Sequence, residues 1–331
     1  MSDRLDVLGI GNAIVDVLAR ADDGFLARHG MVKGTMRLVD AEEAERLYEA
    51  MGPAVEVSGG SAANTIAGLA GLGARTAFIG VVRDDQLGQV FRHDITSIGV
   101  HFPTPARDHG DPTARCLVLV TPDGQRTMNT YLGASRLLGP DDVDAEAVAR
   151  AEILYLEGYL FDPPPAKEAF YKAARLAHDN GGKVALTLSD PFCVERHREE
   201  FRVLVKDEVD IVFANEAEIM ALYQTKSFEE AREAVRPLAA ITALTRSEHG
   251  SVVVTGEATH VVPAEPVSYV VDTTGAGDLY AAGFLYGLGR DLPLVDCARF
   301  GNLAAGEIIS HIGARPETDL AHLAKVRGLL T

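Results

Sequence analysis

The chain predicts an α/β fold: a mostly parallel sheet with helices on both faces, and a smaller sheet beside it. Three observations carry this. Short apolar runs at Leu5–Ile10, Thr76–Val82, Ile153–Leu156, Lys183–Leu188, Val209–Phe213 and Ile241–Thr245 are separated mostly by helical stretches. That alternation marks parallel strands covered on both faces. Two glycine-rich stretches, Ser58–Asn64 and Asp272–Asp278, each open a helix. Finally, Thr113–Val120 and Arg126–Leu132 are β-prone runs joined by Thr121-Pro122-Asp123-Gly124-Gln125. Asp-Gly between such runs signals a hairpin, which interrupts the alternation and belongs to a small separate sheet.

Taken in order, Leu5–Ile10 is a buried first strand. Gly9-Ile10-Gly11 begins like a dinucleotide fingerprint, but Ile14 stands where the third glycine belongs, so the match is weak evidence for NAD. Asp16 closes an apolar stretch and is either a ligand carboxylate or a turn residue. Residues 17–57 are less regular, with a short strand within Val32–Val39 and a charged helix at Ala41–Met51. In Ser58-Gly59-Gly60-Ser61-Ala62-Ala63-Asn64 the glycines permit close backbone approach. Asn64 lies one turn into the helix that this stretch opens and that continues through Thr65–Leu72, where its amide can reach the same ligand. The plain alternative is a tight loop with Ser61 as an N-cap. Thr76–Val82 is a strand and Asp85–Ile98 a helix. After the hairpin, Pro163-Pro164-Pro165 is a stiff turn, Lys167–His178 and Glu229–Leu238 are helices, and Ser251–Thr255 is one more strand.

Val209–Phe213 runs into Asn215 and Glu218 on a starting helix. Ligand sites in parallel sheets lie beyond the carboxyl ends of strands. An amide and a carboxylate three residues apart suit a phosphate-bound Mg²⁺ held through its waters. Equally, acidic residues in a first turn simply favour the helix dipole.

Val267–Val271 reads as a strand, followed by Asp272-Thr273-Thr274-Gly275-Ala276-Gly277-Asp278 and the apolar helix Leu279–Leu288. Gly275 and Gly277 leave the turn unshielded, and the first N–H groups of the helix have no internal partner, which makes an anion trap. A carboxylate in its middle would repel a resting phosphate. Asp278 is therefore either a helix cap or a base that takes a proton from an alcohol attacking a phosphoryl group.

The 331 residues suffice for one large domain with a subdomain. Lys+Arg 31 against Asp+Glu 48 gives a net charge of −17, which argues against nucleic acid or an anionic membrane as the main partner. The three cysteines show neither metal-ligand spacing nor a disulfide framework, which fits a reducing cytoplasm. No signal peptide and no apolar run of membrane-spanning length is present. A P-loop is excluded for want of Gly-x-x-x-x-Gly-Lys-Ser/Thr.

Together, Gly59–Asn64, Asn215 to Glu218 and Asp272–Asp278 resemble, in order, the three motifs of the ribokinase-like (PfkB) family of sugar and nucleoside kinases. The resemblance covers nearly the whole chain and implies one ribokinase-like α/β domain over 1–331. A small β lid would be inserted from about 14–45 and 110–133. It also implies transfer of the ATP γ-phosphoryl to a primary hydroxyl, with Asp278 as base and the amides of Gly275, Ala276 and Gly277 holding the developing charge. Asn215, Thr245, Gly250, Thr274 and Asn302 would serve the nucleotide, Glu218 would hold Mg²⁺ through water, and Asp272 is a candidate for a monovalent cation such as K⁺.

Gly11-Asn12-Ala13-Ile14-Val15-Asp16 and Leu188-Ser189-Asp190-Pro191-Phe192 resemble stretches of the adenosine kinase branch. On that resemblance Asn12, Asp16, Gly59, Gly60 and Asn64 bind the ribose, and Cys116, Met128 and Leu132 face the purine. The expected substrate is a nucleoside, adenosine first. Thr274 is the commoner choice among sugar kinases, and Arg115 and Arg126 bring charge that suits an acidic sugar, so a sugar or sugar-acid kinase is the alternative. An NAD-linked oxidoreductase and a nucleotide sensor without turnover are the competing classes. Monomer and homodimer are both compatible with the chain.

Overall fold

The computed structural model describes residues 4–330. Among them thirteen strands occur in chain order: β1 (Leu5–Ile10), β2 (Ile14–Arg20), β3 (Met36–Leu38), β4 (Ala54–Gly59), β5 (Thr76–Ile79), β6 (Ala114–Val120), β7 (Arg126–Tyr131), β8 (Ala151–Glu157), β9 (Lys183–Thr187), β10 (Ile211–Asn215), β11 (Ile241–Thr245), β12 (Ser251–Val254) and β13 (Thr259–Val262). Eight form one sheet in the order β13-β12-β11-β10-β9-β8-β1-β5. From β11 to β5 the pairing is parallel, and β12 and β13 close one edge antiparallel.

Alternate residues along these strands feed two different cores. In β8, Ile153 and Tyr155 face one and Leu154 and Leu156 the other. With both faces covered, nothing polar is needed between them, and this is why the runs read as unbroken apolar segments. The helices Ser61–Gly71, Ala276–Leu288 and Leu294–Ile308 cover the first face, and Pro164–Asp179 and Arg198–Asp207 the second.

The other five strands form a smaller sheet, β3-β7-β6-β2-β4. The β6–β7 hairpin stands where Asp123-Gly124 requires it. Residues 17–57 are more ordered than they read. They hold most of β2, then the helix Asp23–Arg28, β3, the helix Ala41–Ala50 and most of β4, the last outside the 14–45 segment. Asp16 sits within a strand, not at a turn.

Strand alternation gives this sheet two unlike faces. On one, Val15, Val17, Ala19, Leu117 and Leu119 are buried in the same core as Leu26, Met31 and Leu47. On the other, Asp16, Cys116 and Thr130 form a row across β2, β6 and β7, and Leu18, Val118, Met128 and Met36 form the next.

One expected strand is absent. Val267–Val271 is irregular, with Tyr269 and Val270 70% and 57% exposed. The Val271 N–H donates to Ile309 O at 2.8 Å, at a helix end. β-prone residues form a strand only where a sheet edge accepts them. The three cysteines are buried and free. No helix among the described residues is long and apolar enough to cross a membrane.

Candidate active site

Two helices that begin in glycine-rich stretches lie against each other, and this contact builds the site. At Gly68, a Cβ would stand 2.8 Å from Leu279 Cδ1 and 3.0 Å from the Ala282 Cβ. The approach brings the first turn of Ser61–Gly71 against the first turn of Ala276–Leu288. Ser61 Oγ donates to Asp278 Oδ1 at 2.6 Å, and Asn64 Nδ2 donates to Asp278 Oδ2 at 3.0 Å. Thr65 Oγ1 donates to the Asp278 carbonyl at 3.1 Å. Ser61 and Asn64 thus fix both carboxylate oxygens. Ser61 is not the N-cap: Gly60 holds that position and offers no side chain.

The backbone explains the glycines. Gly60 has φ +101°, and a Cβ there would lie 2.2 Å from Asn12 O. A Cβ on Gly59 would lie 2.4 Å from Asp16 Oδ2, so glycine is what admits that carboxylate. Gly275, at φ +77°, packs against Ala314, 3.0 Å from where its Cβ would be. A Cβ on Gly277 would meet nothing within 4 Å, so the turn is open on that side.

Asp272 starts this turn and holds it. Its Oδ1 accepts from Thr274 N and its Oδ2 from Gly313 N, both at 3.0 Å. Arg126, at the start of β7, makes an ion pair with the same carboxylate. The contact is electrostatic, since neither Nη1 nor Nε of Arg126 is aligned on an acceptor. The carboxylate expected beside a monovalent cation thus also carries a guanidinium. Arg115, the other candidate for an acidic sugar, is on the far face. It pairs with Glu45 at 2.6 Å and lies over the Tyr48 ring.

Sequence reasoning missed two residues here. Glu157, at the end of β8, is buried between the two amino-terminal stretches. It accepts from Asn12 Nδ2 at 2.6 Å, Asn12 N at 3.3 Å and Ala62 N at 2.8 Å. The side-chain amide of Asn12 is therefore committed to Glu157. The available signal was a carboxylate ending an otherwise apolar strand. Arg315, in the segment after the last long helix, donates to Ala63 O at 3.1 Å, Ser58 O at 2.6 Å and Ser58 Oγ at 2.9 Å. Nothing local in the sequence marks it.

Burial dominates the electrostatics. It pushes Asp278 up to about 6, against the hydrogen bonds of Ser61 and Asn64 and the charge of Arg315. Burial likewise raises Asp16 to about 6, opposed by Arg315 and Arg126. Glu157 is pushed up to about 7 by burial, although three hydrogen bonds oppose it. Each shift is the cost of a charge removed from water.

Beyond the carboxyl ends of β10 and β11 a cleft of about 980 Å³ opens, lined by Asn215, Thr245, Arg198 and Arg246 among others. Asn215 and Thr245 are register partners at its floor. Glu218 closes a capping box with Asn215: it accepts from Asn215 N at 2.9 Å and Asn215 Nδ2 at 2.6 Å, and its own N–H donates to Asn215 Oδ1 at 2.9 Å. Burial pushes Glu218 up to about 7, with Asp190 and Asp278 adding to the rise. Two carboxylates thus act on Glu218, a field that a divalent cation would relieve. No group of His, Cys, Asp or Glu among the described residues is tight enough to hold a metal alone. That donor set fits Mg²⁺ retained through water and substrate phosphates.

Gly250, at φ +80°, turns the chain into β12 in a space where a Cβ would lie 2.1 Å from Val262 O. Asn302 Nδ2 donates to Pro263 O at 2.9 Å, tying its helix to the end of β13. Cys116 is buried beside Asp16 and accepts from Thr130 Oγ1 at 3.3 Å. Met128 shares the face of Asp16, while Leu132 lies just past β7, where a 3₁₀ turn starts.

Comparison with known proteins places this geometry. A solved adenosine kinase from Sinorhizobium meliloti is 54% identical, with a TM-score of 0.91 over 98% of this chain and 99% of that one. A solved probable sugar kinase protein from Rhizobium etli CFN 42 is 52% identical, with a TM-score of 0.92 over 100% of both chains. A 5-dehydro-2-deoxygluconokinase from Geobacillus kaustophilus is 28% identical over 82% of this chain and 84% of its own length. The model of the pfkB family carbohydrate kinases matches residues 35–320. The buried Asp278, at a helix start and held by a second glycine-rich helix, lies inside that match, and the chain belongs to the pfkB family of carbohydrate kinases.

Proposed function

We propose that the protein transfers the γ-phosphoryl group of ATP to the primary 5′-hydroxyl of a nucleoside, adenosine foremost. The observation that carries this reading is the Asp278 carboxylate, buried and held at both oxygens by Ser61 and Asn64. Raised to about 6, it is still ionised at neutral pH and is basic enough to accept a proton. In this reading Asp278 takes the hydroxyl proton as the oxygen attacks phosphorus. The bond to the bridging oxygen breaks and ADP leaves. The amides of Gly275, Ala276 and Gly277 face the developing charge.

Asn215, Thr245, Gly250, Thr274 and Asn302 are proposed to serve the nucleotide, the last two through the backbone positions they hold. Mg²⁺, where bound, neutralises phosphate charge, with Glu218 acting on its waters. K⁺ would have to share Asp272 with Arg126. A rate increase when KCl replaces tetramethylammonium chloride at equal ionic strength, lost in Asp272→Asn, would support a cation there.

On the acceptor side, Asp16 and the Gly59–Gly60 backbone suit vicinal hydroxyls, with Asn12 and Asn64 ordering that wall. The smaller sheet acts as a lid that excludes water, the competing acceptor. Its site-facing row of Leu18, Val118 and Met128, with Cys116 beside it, suits a purine face. The likeness to the Sinorhizobium meliloti adenosine kinase supports this choice. The second reading is a kinase of a sugar or sugar acid, such as ribose, fructose or 2-keto-3-deoxygluconate. Arg126 favours it, as a cation on the acceptor-facing sheet.

The test is kcat/KM for adenosine, ribose, fructose and 2-keto-3-deoxygluconate at saturating MgATP. Burying roughly 100 Å² of base is worth about 2.5 kcal/mol, so adenosine should lead by up to about a hundredfold. A free sugar that outperforms adenosine establishes the second reading.

A further inference from the structure

We propose that Arg315 is a positioning residue for the transfer: its guanidinium, fixed on the backbone of the first glycine-rich motif, keeps the Asp16 and Asp278 carboxylates charged inside the site. This rests on the reading of Asp278 as the base.

The placement is built by three consecutive residues. Gly313 donates to Asp272, Ala314 lies against Gly275, and Arg315 spans to Ser58 and Ala63. The segment therefore bridges the two glycine-rich motifs. Arg315 directs hydrogen bonds to the Ala63 and Ser58 carbonyls and the Ser58 hydroxyl and acts on the Asp16 and Asp278 carboxylates through space. A guanidinium stays charged in such a place, where an ammonium or imidazolium would give up its proton.

The surroundings leave it little competition. Asp278 is faced by Ser61, Asn64 and Thr65 from the helix Ser61–Gly71. From the end of β8 it is faced by Tyr155, Glu157 and Tyr159, and from other elements by Asp16 and Glu218. Arg315 is the cation that acts on it. Asp16 is faced by Cys116, Asp278, Arg126 and Arg315, and Arg126 is already paired with Asp272. The carboxylate that acts most on Arg315 is Asp94, which accepts from Ser58 N at 2.8 Å and Ser58 Oγ at 2.5 Å. Arg315 thus acts on both buried acids, while Arg126 acts on Asp16 and is paired with Asp272.

The experiment is the pH dependence of kcat/KM between pH 5 and 9 for the parent, Arg315→Gln, Arg315→Lys and Asp94→Asn. Loss of the cation raises the carboxylates, so the acid limb of Arg315→Gln should move up by about one pH unit. Its activity should fall about tenfold at pH 6 and far less at pH 9. Arg315→Lys should return the limb toward the parent. Asp94→Asn, which keeps an acceptor for Ser58 while removing a competing charge, should move the limb down, and it tests the same field if Arg315→Gln does not fold. An acid limb that stays in place in Arg315→Gln, or in Asp94→Asn where that variant must substitute, overturns the proposal. An equal loss at every pH that Arg315→Lys does not recover also overturns it. Asp278→Asn is run alongside: if it is as active as the parent, the base reading fails and takes this proposal with it.

Discussion

Arg126 of the smaller sheet is ion-paired with Asp272, the residue that opens the glycine-rich turn of the larger domain. Both side chains are nearly enclosed, 9% and 3% exposed, so the pair lies out of reach of screening by salt. It is the electrostatic link between the hairpin and the turn that holds the phosphoryl group in the proposed reaction.

Replacing Arg126 by Gln leaves Asp272 enclosed with only its two backbone donors. Breaking a buried pair from one side typically costs about 3–5 kcal/mol. The lower end is expected here, because Thr274 N and Gly313 N still bind the carboxylate. Urea unfolding of Arg126→Gln, and of Arg126→Gln with Asp272→Asn, measures this. The double variant should recover part of the loss. A single variant as stable as the parent would show that the pair contributes nothing.

Asp278→Asn should retain ATP binding and lose on the order of 10²–10⁴ in kcat. It should also stabilise the fold at neutral pH. The folded carboxyl titrates near 6, above the unfolded value of about 3.9. Its contribution is therefore fully present below pH 4 and is lost as pH rises through 6. The variant has no charge to lose. Asn64 Oδ1, buried without a partner, can turn to meet the new amide. Melting temperatures at pH 4 and pH 8 are the check: the variant's advantage should appear at pH 8 and shrink at pH 4. Equal advantages at both would remove titration as the cause.

Glu218→Gln should raise the Mg²⁺ concentration for half-maximal rate by about tenfold, as loss of an outer-sphere partner does. Glutamine can still close a capping box, so stability should stay near the parent. Initial rates against Mg²⁺ decide. An unchanged half-saturation confines Asn215 and Glu218 to capping the helix.

The larger sheet was legible because each strand is covered on both faces and reads as an apolar run, as Ile153–Leu156 does. Asp278 stood out because it follows two glycines at a helix start, and the structure buries it there against Ser61 and Asn64. Asp16 read as either a ligand carboxylate or a turn residue, since apolar flanks suit both; its place within β2 rules out the turn, and its carboxylate fills the space Gly59 leaves. Val267–Val271 misled because β-propensity says nothing about a free sheet edge. Glu157 and Arg315 were unreadable for a different reason. Their partners, Asn12 and Ala62 for one, Ser58 and Ala63 for the other, lie 95 residues or more away.

The contact at Gly68 also sets a time at which the protein can begin to work. Ser61 and Asn64 are synthesised more than two hundred residues before the aspartate they hold. Until the helix Ala276–Leu288 leaves the ribosome, the groove at Gly68 has nothing to receive and faces whatever is nearby. A nascent chain can therefore complete most of its parallel sheet and still lack the site. Catalytic competence should appear late and abruptly during synthesis, when the two helices meet.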